Sequence, residues 1–232
     1  MKLGLLGDVH GNYLALTSVL NAAVKYGVER LLVTGDFVGY YFRPQDVLEL
    51  LQRWDVTAVR GNHEDILTRA LADDTSLDAA VSRYGSGLRM AIEQLTVAQL
   101  EWLCSLPHPL ELVVDGRRIL LCHGSPWDIN QYIYPNAEPE LLARCALKEY
   151  DLVVMGHTHY PMCLKVGNTL LVNPGSVGQP RNRQPGAHWA LFDTDSCEAT
   201  LCCERYDGGP VIAQSRLRHP DLPYLWEVLE RT

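Results

Sequence analysis

The sequence predicts an α/β protein in which two mixed β-sheets form a sandwich flanked by helices, a four-layer αββα arrangement. Two observations predict this fold. Five continuous apolar runs are typical of parallel strands buried on both faces, and helical spacing separates the first three of them. From Leu110 onward, pairs of β-forming runs around short turns indicate antiparallel strands.

The runs interpreted as buried parallel strands are Leu3–Leu6, Leu31–Thr34, Val56–Val59, Ile119–Cys122 and Leu152–Met155. Apolar residues at helical spacing predict three helices, and Gly27 suits the end of the first: Leu14–Val24, Pro44–Arg53 and Glu64–Ala72. The segment at about 74–107 looks helical in pieces. We expect it to cover the functional site from one side.

Turn residues predict two hairpins, Leu110–Cys122 around Asp115-Gly116 and Met162–Val172 around Gly167-Asn168. The last predicted elements are two antiparallel strands and a closing helix: Trp189–Asp193, Ala199–Tyr206 and Leu222–Leu229. The chain has 232 residues, 47% of them hydrophobic, and no linker-like stretch. We therefore expect one domain that spans residues 1–232.

Composition and charge narrow the class of partner. The formal net charge is −8 and the densest basic stretch is the short 181–183 run, which disfavours a long nucleic acid. No apolar run approaches the ~20 residues that a membrane span needs. The first predicted strand starts at Leu3 and leaves no room for a signal peptide. Seven cysteines without CxxC spacing indicate reduced thiols, so we expect a cytoplasmic protein; its oligomeric state stays open.

Polar residues follow each buried run where its strand would end: Asp8, His10, Asp36, Asn62, His123, His157 and His159. Ligands of open α/β sheets bind at the carboxyl ends of the strands, so we expect these side chains to meet. Seven ligands suit two ions, and Asp36 could bridge cations roughly 3.5–4 Å apart. On extended segments, residues two apart such as Asp8 and His10 would share one face.

Each of these residues also has a structural interpretation when it is taken singly. Asp after Gly is common in turns, and Asn62 could cap the helix that begins at His63. Repetition at successive strand ends favours the metal site. Cys122 neighbours His123 and is expected to point away, which leaves carboxylate, imidazole and amide ligands. Such a set favours Mn²⁺ or Fe, while Zn²⁺ and Ni²⁺ stay open.

The segments GDVHGN, GDFVG, GNHE, CHG and GHTH, between Met1 and about Phe192, resemble the calcineurin-like metallophosphoesterase superfamily, including its small bacterial and archaeal phosphodiesterases. The resemblance implies the same sandwich fold and a metal-dependent phosphoesterase. It also implies these ligands, with Asp36 shared: Asp8, His10 and His159 for one metal, and Asn62, His123 and His157 for the other. It makes His63 the catalytic histidine.

An imidazole titrates near neutral pH, so His63 can donate a proton to the leaving group. Asp36 or Glu64 could orient its ring. The sequence reads GDFVGY where the superfamily's protein Ser/Thr phosphatases and symmetrical dinucleotide hydrolases carry GDxVDRG. The missing arginine disfavours a phosphoprotein substrate. The arginine that clamps the phosphate must then come from elsewhere. The candidates are Arg181, which follows a loop that the family places near the site, and Arg60, Arg43 and Arg183.

Aromatic residues cluster in two stretches after metal motifs, Tyr40–Phe42 and Trp127–Tyr134. Tyr40 and Tyr132 are candidates to stack a nucleobase, although such rings often pack loops against the body of a protein instead. We predict a phosphodiesterase or pyrophosphohydrolase of small nucleotides, with diadenosine polyphosphates as the leading substrate by resemblance. The alternatives are a broad-specificity phosphomonoesterase and a non-catalytic scaffold on the same fold.

Overall fold

Two mixed β-sheets of five strands each carry the functional residues, and the computed structural model describes residues 1–231. In these residues the strands are β1 (Lys2–Leu6), β2 (Arg30–Val33), β3 (Val56–Ala58), β4 (Leu110–Val114), β5 (Arg117–Leu121), β6 (Leu152–Val154), β7 (Met162–Val166), β8 (Thr169–Asn173), β9 (Ala187–Asp193) and β10 (Glu198–Glu204). The helices are α1 (Tyr13–Tyr26), α2 (Pro44–Leu51), α3 (Asn62–Ala72), α4 (Asp74–Tyr84), α5 (Gly87–Gln94), α6 (Val97–Ser105), α7 (Pro139–Cys145), α8 (Gly209–Arg218) and α9 (Tyr224–Glu230).

The strand order is β10-β9-β1-β2-β3 in the first sheet and β4-β5-β6-β8-β7 in the second. Strands β1, β2 and β3 are parallel to one another, because α1 and α2 return the chain to the same edge. Strand β9 pairs antiparallel with β1, and β10 pairs antiparallel with β9. In the second sheet β5, β6 and β8 are parallel, and the edge strands β4 and β7 are antiparallel. Hairpins β4–β5 and β7–β8 match the predicted hairpins.

The two sheets pack face to face because alternate residues of each strand point to opposite sides. In β1, Leu5 joins an apolar cluster with Val154 and Phe192 of both sheets, whereas Leu6 belongs to the cluster on the helical side. A further cluster lies between the second sheet and α7, where Cys145 is buried. This order of layers confirms the predicted αββα sandwich.

The sequence pattern does not predict α7 or α8. Helix α7 has only seven residues, so its apolar positions show no clear period. Helix α8 buries only Val211 and Ser215 and therefore lacks an apolar stripe. Among residues 1–231, no helix combines the length and the apolar character that crossing a membrane requires.

A buried carboxylate, that of Glu64, joins the loop after β2 to the start of α3. Its Oε2 accepts hydrogen bonds from the backbone N–H groups of Gly61 at 2.7 Å and Asp36 at 2.8 Å. Its Oε1 accepts one from Phe37 at 2.9 Å. Burial raises the pKa of Glu64 to about 7, although these amides act to lower it. The carboxylate therefore fixes the backbone that carries Asp36.

Replacing Glu64 with Gln should lower the free energy of unfolding by about 1–3 kcal/mol, because a side-chain amide has only one acceptor oxygen for these N–H groups. Urea unfolding measures the effect. The matched control is Glu101→Gln, which changes an exposed carboxylate on α6 in the same way. Equal stability of the two variants would contradict the anchoring role of Glu64.

Candidate metal centre

The polar residues after β1, β2 and β6 lie in tight backbone turns. Their φ angles are positive: 53° at Asp8, 51° at His10, 57° at Asp36, 67° at His157 and 60° at His159. This left-handed conformation is uncommon for residues with a side chain and clusters at functional sites. The prediction that the Asp8–His10 and His157–His159 pairs are extended is therefore wrong. Turns, rather than strand alternation, direct each pair into one site.

The first group of potential ligands contains Asp8, His10, Asp36 and His159, whose ligand atoms all lie within 4.8 Å of one another. Nε2 of His159 is 3.2 Å from Oδ1 of Asp8, and Nε2 of His10 is 3.6 Å from Oδ2 of Asp36. The two imidazole Nε2 atoms are 3.2 Å apart. All four side chains are buried. The fold thus unites the residues that the motifs assign to one metal.

The second group shares Asp36 with the first and adds His123 and His157. Nε2 of His123 lies 3.5 Å from Oδ2 of Asp36, 3.1 Å from Nδ1 of His157 and 3.0 Å from Oδ1 of Asn62. Asn62 is the first residue of α3, whose N-cap is Gly61, so its side chain is free of a capping role. All seven predicted ligands therefore meet in a buried site of dinuclear type.

Each of these four histidines turns its second ring nitrogen toward a backbone carbonyl: His10 Nδ1 to Val38 at 3.0 Å, His123 Nδ1 to Thr34 at 2.8 Å, His159 Nδ1 to Gln179 at 2.6 Å and His157 Nε2 to Asn130 at 3.2 Å. A carbonyl can only accept, so these nitrogens carry the proton of the neutral imidazole. The lone pair is then on the nitrogen that faces the site, as in metal-bound histidines.

Lone pairs and unpaired oxygens consequently face one another across the site. The Nε2 atoms of His10 and His159 each carry a lone pair and are 3.2 Å apart. Oδ1 of Asp8 and Oδ2 of Asp36 are buried without a hydrogen-bond partner in the described residues, whereas the second oxygen of each carboxylate accepts a backbone N–H. Such orphaned atoms are rare in folded proteins. The donor set fits two divalent cations, which would satisfy all of these atoms.

Burial prepares the imidazoles for metal binding. It lowers the pKa of His123 to about 3 and that of His157 to about 4. It also lowers the pKa of His10 well below its usual range, and His63 lowers it further. These side chains are therefore neutral at pH 7, which is the form that coordinates a metal ion.

The two carboxyl groups of the first group respond differently to the same surroundings. Burial raises the pKa of Asp36, and the nearby carboxylates of Glu64 and Asp8 raise it further. Burial also raises the pKa of Asp8, but the adjacent His159 outweighs it, and the pKa falls to about 2. Cations between these carboxylates would hold both in the ionised form.

His63 lies beside both groups without belonging to either. Its ring centroid is 4.8 Å from His10, 4.8 Å from Tyr40 and 5.0 Å from Tyr84. Its Nδ1 is buried and has no hydrogen-bond partner among residues 1–231. A side chain at Gly39 would overlap this nitrogen, so the loop can approach the imidazole only because residue 39 is glycine.

Neither Asp36 nor Glu64 orients the imidazole of His63, because in the described residues their hydrogen bonds go to backbone amides and the Oδ2 of Asp36 and the Nδ1 of His63 are both without a partner. The surrounding aromatic rings set its orientation. Tyr84, at the end of α4, is a neighbour that sequence reasoning missed; its only signal is its place in the segment expected to cover the site. Burial lowers the pKa of His63 well below its usual range, and His123 lowers it further.

The structure corrects the interpretation of Tyr40 as an open stacking platform. Its side chain is only 6% exposed, and its ring lies edge-on to His10 at 4.6 Å. Tyr41 and Phe42 are also buried, against α9 and its neighbours. This aromatic stretch therefore packs its loop against the body of the protein. The physical reason is that Tyr40 packs against the imidazole rings of His10 and His63, so little of its ring is exposed.

Tyr132, in contrast, stays near the surface. Its side chain is 46% exposed and its ring lies over His157, with centroids 4.1 Å apart and planes inclined by 23°. Tyr134 lies nearly parallel to it at 5.8 Å. The exposed part of this tyrosine pair borders the second group of ligands.

The structure places the four candidate arginines in different surroundings. Arg181 donates from Nη2 to the Tyr40 hydroxyl at 3.1 Å and to Oε1 of Gln179 at 3.0 Å, so it lies next to the first group. Arg183 is exposed. The side chains of the other two candidates bind groups outside the metal centre.

Arg60 donates to Asp65 at 2.8 Å and to the carbonyl of Leu106 at 3.0 Å. Arg43 forms a two-bond pair with Asp46. The structure therefore does not bring Arg60 or Arg43 to the metal ligands, because acidic side chains close to them in the chain bind their guanidinium groups.

Comparison with known proteins agrees with this geometry. A sequence profile of the calcineurin-like phosphoesterase superfamily domain matches residues 1–197. The Methanocaldococcus jannaschii protein MJ0912 is 28% identical over 223 residues, which cover 88% of each chain. Phosphodiesterase YfcE of Escherichia coli K12 is 26% identical over 205 residues, 84% of this chain and 89% of YfcE.

A metallophosphoesterase from Sphaerobacter thermophilus has the same fold, with a TM-score of 0.80 and 29% identity, over 100% of this chain and 98% of that one. The profile match includes both groups of ligands and extends over most of the sequence. The chain therefore belongs to the calcineurin-like phosphoesterase superfamily and is a metal-dependent phosphoesterase.

Proposed function

We propose that the protein hydrolyses phosphoesters of small nucleotides with two divalent ions, Mn²⁺ or Fe in preference to Zn²⁺ or Ni²⁺. The Oδ2 atom of Asp36 carries this proposal, since it is buried, unpaired and nearly equidistant from Nε2 of His10 and of His123, at 3.6 and 3.5 Å. Donors without thiolate favour these metals. The proposed ligands, with Asp36 shared, are Asp8, His10 and His159 for one ion and Asn62, His123 and His157 for the other.

When bound, such ions supply a hydroxide at neutral pH and neutralise the phosphoryl oxygens during in-line attack. His63 donates the proton that the leaving oxygen needs. A phosphate beside the ring stabilises the imidazolium and so opposes the lowering of the pKa of His63 by burial. The rings of Tyr40 and Tyr84 hold the imidazole in place.

Arg181 is the proposed clamp for the phosphate. Its guanidinium binds two neutral groups, the Tyr40 hydroxyl and the Gln179 side chain, and no carboxylate within 4.0 Å in the described part of the chain. Its positive charge is therefore not neutralised by a neighbour. A guanidinium has five N–H donors, so donors stay available for phosphate oxygens.

The side chains that border the metal centre favour one class of substrate. The exposed tyrosines Tyr132 and Tyr134 offer aromatic surface to a nucleobase. A dinucleoside polyphosphate is the leading substrate, and a broad range of phosphomonoesters is the alternative within the same chemistry. The orphaned oxygens of Asp8 and Asp36 favour catalysis over a non-catalytic scaffold, because a scaffold has no need for unsatisfied buried carboxylates.

The purified protein should bind up to two transition-metal ions per chain, and Asp36→Asn should weaken both sites, because the neutral amide replaces the shared carboxylate. Elemental analysis of the dialysed protein measures this. Asp46→Asn, which changes a partly exposed aspartate paired with Arg43 away from the ligands, is the control. A wild-type content of one ion at most, unchanged by Asp36→Asn, would contradict the dinuclear proposal.

Substitutions at two adjacent residues should separate metal binding from proton transfer. Asn62→Ala should lower the occupancy of one metal. His63→Ala should keep both ions and lose roughly 10²–10⁴ in turnover of substrates with alkoxide leaving groups, the usual value of a general acid. The loss should be smaller for p-nitrophenolate, which needs little protonation. Equal losses with both leaving groups would show that His63 is not the proton donor.

Chelated enzyme reloaded with Mn²⁺ should hydrolyse dinucleoside polyphosphates with higher kcat/KM than phosphomonoesters, phosphopeptides or duplex DNA. Tyr132→Ala should raise KM for the nucleotide roughly fivefold or more, since base stacking on an aromatic ring contributes about 1–3 kcal/mol. Tyr132→Phe keeps the ring and should keep KM. Comparable kcat/KM on phosphopeptides would overturn the substrate assignment while leaving the metal chemistry intact.

A further inference from the structure

A cationic pocket of about 270 Å³ lies beside the candidate metal centre, lined by residues that are far apart in the sequence. Three arginines and three tyrosines form most of its wall: Arg83, Arg181, Arg231, Tyr40, Tyr84 and Tyr224. None of the described residues that line it is acidic. In a chain of net charge −8, this concentration of positive charge is a local exception.

The arginines of this pocket differ from many others on the surface. Arg43 and Arg89, for example, pair with aspartates at 2.6 and 2.8 Å. Neither Arg83 nor Arg181 has a carboxylate within 4.0 Å among residues 1–231. The Arg83 guanidinium instead lies over the Tyr84 ring, 5.1 Å from its centroid. Unpaired guanidinium groups that face one cavity suit an anionic ligand, above all phosphate.

The pocket shares a wall with the proposed proton donor. Tyr40 and Tyr84, which line the pocket, lie 4.8 and 5.0 Å from the His63 ring. Arg181 lines the pocket and binds the Tyr40 hydroxyl at 3.1 Å. A general acid acts on the oxygen that departs, so a leaving group would lie on the side of the site where His63 and this pocket are.

The size and surface of the pocket suit part of a nucleotide substrate. Its volume of about 270 Å³ is just below the roughly 300–1,000 Å³ of whole-ligand sites, so it can hold one portion of a substrate. The half-buried rings of Tyr84 and Tyr224 add apolar surface, and the Tyr224 hydroxyl donates to the Arg83 carbonyl at 2.6 Å, which ties α9 to α4. Nε2 of Gln179, another lining group, is buried without a hydrogen-bond partner in residues 1–231.

We propose that this pocket binds a leaving group that is itself a nucleotide, with its phosphate on Arg83 and Arg181 and its base against Tyr84 and Tyr224. The assignment rests on the proposed function. In the reaction, a water oxygen bonds to the phosphorus at the centre and the bond from phosphorus to the departing phosphate oxygen breaks. The proton of His63 goes to that departing oxygen, and the proton that the attacking water releases restores the protonated form of His63. The preferred bond is therefore a phosphoanhydride between nucleotides.

The first test is binding of AMP to the metal-free protein by calorimetry, which measures the pocket without catalysis. Arg83→Gln should weaken AMP binding about tenfold or more, since it removes a charged hydrogen-bond donor. Arg83→Lys should recover part of the affinity. Arg53→Gln, an exposed arginine that does not line the pocket, is the matched control and should bind AMP like the wild type.

The second test compares two substrates of the Mn²⁺-loaded enzyme. Arg83→Gln should lower kcat/KM for diadenosine tetraphosphate at least tenfold more than for methyl p-nitrophenyl phosphate, whose leaving group has neither phosphate nor base. Equal losses on both substrates, or unchanged AMP affinity, would overturn the pocket assignment alone. If the loaded wild type hydrolyses no phosphoester at all, the proposed function fails and the assignment fails with it.

Discussion

The carboxylate of Asp36 connects both halves of the site, and much of the surrounding structure holds it in place. Its Oδ2 lies between His10 and His123, while its Oδ1 accepts the backbone N–H of His63 at 2.8 Å. Glu64 binds the backbone amide of Asp36 itself. A buried carboxylate is costly unless positive charge compensates it, so bound cations would stabilise the folded site. The metal-binding and folding requirements of this region are therefore coupled.

The close approach of two loops makes this arrangement sterically demanding. A side chain at Gly35 would overlap the backbone of Gly61, and one at Gly61 would overlap the Asp36 carboxylate. Gly35 also has a φ of 98°, which favours glycine. The glycines of the GD and GN motifs thus have a physical function of their own. They let the ends of β2 and β3 come together so that ligands from both loops reach the same ions.

The strands, both hairpins and the convergence of the ligands could be predicted from the sequence. Residue type and position at the strand ends determine where the carboxylates and imidazoles lie. It could not identify the carbonyl acceptors such as that of Thr34, since every residue has one and only the fold selects among them. The burial of Tyr40 and the hydrogen bond from Arg60 to the Leu106 carbonyl likewise depend on tertiary packing. Helix α8 could not be predicted, because it buries few residues and therefore has no apolar stripe.

The carbonyl acceptors have a consequence for how this centre can change over time. Main-chain oxygens such as that of Val38 hold the imidazoles, so no single substitution deletes one of these supports. A mutation can remove one ligand, but the backbone conformation still orients the remaining histidines. The protein should therefore tolerate exchange of one metal for another and drift in the surrounding side chains, while its ligand geometry persists as long as the strand-end loops keep their shape.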